Sequence, residues 1–157
     1  MNFTSQICTT EEQSKRLLAL GLKKETADCY YYAQQRWTGN SYENTGELFL
    51  SPLWNIDDKG HFQYLNEVFG DEIGEEDVPY VLPAWSLHRL LEMMPTVITH
   101  DDYPLILGVN ATCVYYADNE YGETFKDFEG NLYGCIVNCI EWLIKEGYFN
   151  KEYLERI

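Results

Sequence analysis

Apolar residues recur at helical spacing in three stretches of the chain, and between the second and third they cluster in short β-prone runs. The first stretch predicts a helix from about Glu11 to Leu20. Thr10 and Gln13 stand at capping-box positions, where the hydroxyl and the amide each satisfy a backbone N–H. Gly21 suits a left-handed C′ position and lets Leu22 fold back on Leu17. Leu17, Leu18 and Leu22 then face inward, while Glu12, Lys15 and Arg16 stay in water. The second helix is expected from Leu87 to Met94, with Ser86 as N-cap and Trp85 and Leu90 at the two positions of a hydrophobic staple. Leu87, Leu90, Leu91 and Met94 make an i, i+3, i+4, i+7 stripe, and Pro95 stops it. The third helix, from about Leu132 to Glu146, carries a wide apolar face of Leu132, Cys135, Ile136, Cys139, Ile140, Trp142 and Leu143. So wide a face predicts packing across a sheet.

The β signal lies mainly between residues 97 and 117. Val97–His100, Leu105–Val109 and Cys113–Tyr116 are rich in β-branched and aromatic residues and are separated by turn formers. The last two are expected to form a hairpin around Asn110 and Ala111, with Glu123–Phe125 as a further edge. Tyr30, Tyr31 and Tyr32 mark a short strand over residues 28–33, and Leu48–Leu50 another. Residues 34–45 read as a polar loop, residues 55–77 as irregular with one short helix near 64–69, and Asn150 as the cap of a short final helix. The expected fold class is α+β, a small antiparallel sheet with two main helices packed on one face, in a single domain over residues 1–157.

Charge changes this picture in one region. The chain carries a formal net charge of −15, and residues 60–125 hold twelve acids against the single base Arg89. Such a balance argues against direct binding to nucleic acid, whose phosphates are held by clustered Lys and Arg. No apolar run approaches the roughly 20 residues of a membrane span. The N-terminus has no basic start followed by an apolar core, so a cytoplasmic protein is expected, and the sequons at Asn2 and Asn110 are read as chance matches. Five scattered cysteines, an odd number, fit reduced thiols better than a disulfide framework.

Three segments together resemble a known group. They are Gln13-Ser14-Lys15 with Leu17-Leu18, Leu20-Gly21-Leu22 and Thr26-Ala27-Asp28; Pro83-Ala84-Trp85-Ser86-Leu87 with Leu90-Leu91 and Met94-Pro95; and Leu132-Tyr133, Cys135 and Trp142-Leu143-Ile144. The set is similar to small uncharacterised proteins of Bacteroides-type bacteria and their phages or mobile elements, of which the middle segment is the most specific marker. The acidic, insertion-like stretch near residues 57–77 departs from that pattern. The resemblance implies a genomic setting and no activity or site residues.

Candidate chemistry is sparse. His100, Asp101 and Asp102 put an imidazole beside two carboxylates, suited to acid–base work or a divalent ion, or simply to a polar turn between strands. Cys135 and Cys139 share a helix face at i, i+4, but two ligands make a poor metal site and the core reading is stronger. Asp118, Glu120 and Glu129 match positions 1, 3 and 12 of a calcium loop, yet Gly122 stands at position 5, so a turn is the better reading. The motifs of P-loop, dinucleotide-binding, serine-hydrolase and zinc-deaminase proteins are absent from the sequence.

Glu67, Asp71, Glu72, Glu75, Glu76 and Asp77 place six acids in eleven residues without a base. That is a solvated loop or a surface for a basic partner. The expected function is a non-catalytic accessory or protein-interaction domain without cofactor or resident metal. The alternatives are an acidic nucleic-acid mimic inhibiting a basic enzyme, and a small metal-assisted hydrolase built on His100, Asp101 and Asp102.

Overall fold

The computed structural model describes residues 6–52 and 81–156. Helix α1 spans Glu11–Ala19. Thr10 Oγ1 accepts from the Gln13 N–H at 3.2 Å, and Gln13 Oε1 accepts from the Thr10 N–H at 3.0 Å, completing the capping box. At the other end Gly21 has φ +93°, the Leu22 N–H donates to the Leu17 carbonyl and the Gly21 N–H to the Leu18 carbonyl. That pair of bonds is the Schellman arrangement expected there. Helix α2, Leu87–Met93, starts where Ser86 Oγ accepts from the Arg89 N–H at 3.2 Å. Helix α3, Leu132–Lys145, is capped by Asn131 through the Gly134 N–H. The short final helix after Asn150 is one 3₁₀ turn, Lys151–Tyr153.

The strands form two antiparallel sheets. In the first, β1 (Cys29–Trp37) lies between β2 (Tyr42–Pro52) and β3 (Val81–Ala84). In the second, β4 (Val97–His100), β5 (Tyr103–Asn110), β6 (Cys113–Asp118) and β7 (Thr124–Glu129) follow one another as a meander. Most of the stretch expected as a polar loop, residues 34–45, is therefore ladder, and only residues 38–41 turn the chain. Polar side chains hid it, because backbone pairing with β2 needs no apolar alternation. Strand β3, also unanticipated, tolerates Pro83 because it lies at the edge of the strand order. Its other edge continues toward the N-terminal segment, which it meets through the Cys8–Ser86 bridge and the bond from the Thr9 N–H to the Trp85 carbonyl. The acidic run Glu67–Asp77 and the short helix expected near 64–69 lie outside the described residues.

The molecule is thus an α+β fold with helices packed against antiparallel sheet. Helix α3 lies on β6 and β7, α1 touches both β3 and α3, and α2 also reaches α3. Trp85, Leu90, Val114, Tyr116 and Ile136 are fully buried at their junction. Buried polar tips find partners: Trp85 Nε1–H donates to Thr26 Oγ1 at 2.9 Å, and the Tyr116 hydroxyl donates to the Pro95 carbonyl at 2.6 Å. On β6, Val114 and Tyr116 point into this core. Cys113 and Tyr115 therefore point to the opposite face of the sheet, where Val97 on β4 and Ile106 on β5 remain 51% and 37% exposed.

Candidate metal centre

The opposite face carries the one grouping of metal-ligating side chains found among the described residues. Cys113 opens β6 and is paired with Glu129 at the end of β7, while Tyr115 is paired with Asp127. Side chains two apart on a strand share a face, and cross-strand partners share it too, so Cys113, Asp127 and Glu129 converge. One ligand atom from each lies within 4.8 Å of the others. Cys113 is half-buried and the two carboxylates are exposed.

The register that assembles the three is held on both sides. The Gly130 N–H donates to the Thr112 carbonyl at 2.9 Å and closes the end of the pair. Tyr115 lies across Gly108 of β5 so closely that a Cβ there would stand 2.1 Å from the ring. A glycine under a cross-strand aromatic ring lets the two strands keep their spacing. Cys135, near the start of α3, is buried and bonds through its thiol to the Thr112 carbonyl at 3.9 Å. Burial pushes that thiol up, and the negative charges of Cys113 and Glu129 add to the effect.

A thiolate and two carboxylates make a mixed soft and hard donor set suited to a zinc-class ion. Tetrahedral ligands around such an ion stand about 3.5 Å apart, a spacing that exposed carboxylate side chains can reach by rotation. Three protein ligands leave a fourth position for water or substrate.

The residues singled out from the sequence are placed differently. Asp101 and Asp102 form the tight turn between β4 and β5, both with positive φ (48° and 67°) and both exposed. His100 turns away from Asp102. Its Nδ1 is hydrogen-bonded to the Tyr148 hydroxyl at 2.8 Å, its ring packs at a tilt against Phe125 with centroids 4.3 Å apart, and Nε2 reaches Asp101 at 3.4 Å. The structure brings together His100 and Asp101, leaving Asp102 in solvent. Cys135 and Cys139 are core residues, and burial pushes the Cys139 thiol up to about 12. The apparent calcium loop is a strand connection, in which Asp118 caps the turn by accepting from the Glu120 N–H while Glu129 lies at the far end of β7.

Glu129 was thus noticed for a different pattern, and Cys113 and Asp127 were missed. The only sequence signal for them is the pair of i, i+2 spacings, Cys113 with Tyr115 and Asp127 with Glu129, which says nothing until the strands are put in register. No protein-family model, curated protein or solved structure matches the chain.

Proposed function

We propose that this protein binds a divalent transition-metal ion of the zinc class through Cys113, Asp127 and Glu129 and uses it in hydrolysis. One observation carries the reading: the convergence of the three ligand atoms within 4.8 Å on the open face of the second sheet. An ion held there supplies Lewis acidity to whatever occupies the open position. This keeps the metal-assisted alternative raised from the sequence and moves it from the His100 turn to the β6–β7 pair. The chain's own contribution is the strand register that aligns the three ligands, on a sheet face that no other described element packs against.

Equilibrium dialysis of the full chain against zinc tests the reading, with cobalt as a spectroscopic substitute. One equivalent should bind, with a sulfur-to-cobalt charge-transfer band that Cys113→Ser abolishes. Asp127→Asn and Glu129→Gln should each weaken binding about 10-fold or more while the circular dichroism is unchanged. Zinc retention that is indifferent to all three substitutions would sink the site. Zinc binding with blank phosphate- and carboxyl-ester assays would reject the hydrolytic half and return the chain to the non-catalytic interaction reading.

A further inference from the structure

Cys8 and Cys29 are buried nucleophiles that the proposed metal chemistry does not use. They form their own small cluster with Ala84, flanked by Tyr31 and separate from the main core. Each is placed by backbone. Cys29 is held in β1 between Ala84 of β3 and Pro52 of β2. Cys8 pairs with Ser86 just beyond β3, and both of its neighbours are tied down by tyrosine hydroxyls. Tyr31 donates to the Thr9 carbonyl at 2.7 Å and Tyr133 to the Ile7 carbonyl at 2.5 Å. Ala84, the cross-strand partner of Cys29, is the third buried member of the cluster, and its single methyl group takes little of the space shared with the two thiols.

We propose that Cys8 and Cys29 are a reversible dithiol–disulfide site, oxidised by hydrogen peroxide or a peroxide of similar size. The proximity of the two thiols affects them in opposite directions. It raises Cys8, with burial adding to the rise, and it lowers Cys29 against the opposing effects of burial and the Asp28 charge. Cys29, the more accessible of the two to a small oxidant and the one whose thiol is lowered, is the attacking sulfur. It attacks one peroxide oxygen; the S–O bond forms, the O–O bond breaks, and the departing hydroxide takes up the proton that the Cys29 thiol gives up and leaves as water. Cys8 then attacks the Cys29 sulfenic sulfur. The S–S bond forms, the S–O bond breaks, and the hydroxyl leaves as a second water with the proton of Cys8. Two thiols are oxidised by two electrons and one peroxide is reduced to two waters.

Access favours a small oxidant. Cys29 is 6% exposed and Cys8 2%, too enclosed for a bulky disulfide reagent. The N-terminal segment is fastened at a sheet edge, the kind of position that opens locally without global unfolding. The product joins that segment to β1 across the edge of β3.

The test treats the reduced full chain with one equivalent of hydrogen peroxide, blocks remaining thiols with an alkylating reagent and maps the peptides by mass spectrometry. The expected map shows a Cys8–Cys29 cross-linked peptide, reversed by dithiothreitol, with Cys113, Cys135 and Cys139 alkylated. In Cys8→Ser, dimedone should label Cys29. A cross-link between other cysteines, irreversible oxidation of Cys29 with Cys8 still alkylated, or five unreacted thiols would each overturn the proposal. Because the map is read on the wild-type chain, failure of either variant to fold does not affect it, and Cys113→Ser should leave the cross-link intact.

Discussion

Tyr115 and Gly108 show how much a single pair of residues positions. The ring occupies the space a β-carbon would need, and the contact sits on the face that carries Cys113, Asp127 and Glu129. Replacing Gly108 by Ala puts a methyl group where the Tyr115 ring lies, so the ring must leave its place over β5. The cost should be about 1–3 kcal/mol, as for other overpacked sites, seen as a lowered denaturant midpoint. Tyr115→Ala in the same chain should recover most of that loss, because it removes the obstacle; two independent losses that merely add would show that the contact is not the cause. The same scale explains why the candidate site was hard to read. His100, Asp101 and Asp102 drew attention by adjacency, yet neighbours along a strand or in a turn point apart. Cys113 and Glu129 are sixteen positions apart in the sequence and meet only through cross-strand pairing.

Among the elements, the helices were legible because their signals are local. The Thr10–Gln13 capping box, the Ser86 cap and the Schellman turn at Gly21 are each written within a few residues. A Cβ at Gly21 would meet nothing within 4 Å, so its role is purely conformational, set by φ +93°. Gly21→Ala should therefore cost about 1–2 kcal/mol from the left-handed backbone alone. Chemical denaturation should show the midpoint fall with its slope unchanged. A neutral substitution would mean that the turn relaxes and that the Leu22–Leu17 bond is dispensable. Helix α1 is further tied to α3 by Arg16, which pairs with Glu141 and donates to Asn138. The β1–β2 hairpin was underestimated for the opposite reason. Its ladder is satisfied by the partner strand, and a polar sequence such as Gln34-Gln35-Arg36 does not advertise it.

For the whole molecule, the buried hydroxyls and thiols give the fold a defined alkaline limit. Burial raises Tyr116 above its ordinary value of 10.0, and it raises Tyr133 to about 12 and Cys139 from 9.0 to about 12. Each group stays neutral in the folded chain over a range where the unfolded chain ionises. The stability tied to it is fully present below its unfolded value and is lost as pH rises toward the folded one. Stability should accordingly decline from about pH 9 and fall more steeply above pH 10. Thermal melts across pH 8–12 are the check, and Tyr116→Phe should flatten the upper part of the curve even though it lowers the starting point by removing the bond to Pro95. An unchanged slope in that variant would place the alkaline loss elsewhere.

Periodicity, caps and turn formers determined the three helices, the β4–β5–β6 meander and the α+β class, because each is a short-range consequence of side-chain spacing and backbone chemistry. Composition determined the acidity and the apolar content that a core needs. Tertiary structure alone decided the division of the described strands into two sheets, which face of the second meets the helices, the meeting of Cys113 with Asp127 and Glu129, and the clustering of Cys8 with Cys29. Those depend on strand register and on which segments share an edge. A shift of one residue in either would turn every one of those side chains to the other face while leaving each local signal in the sequence unchanged.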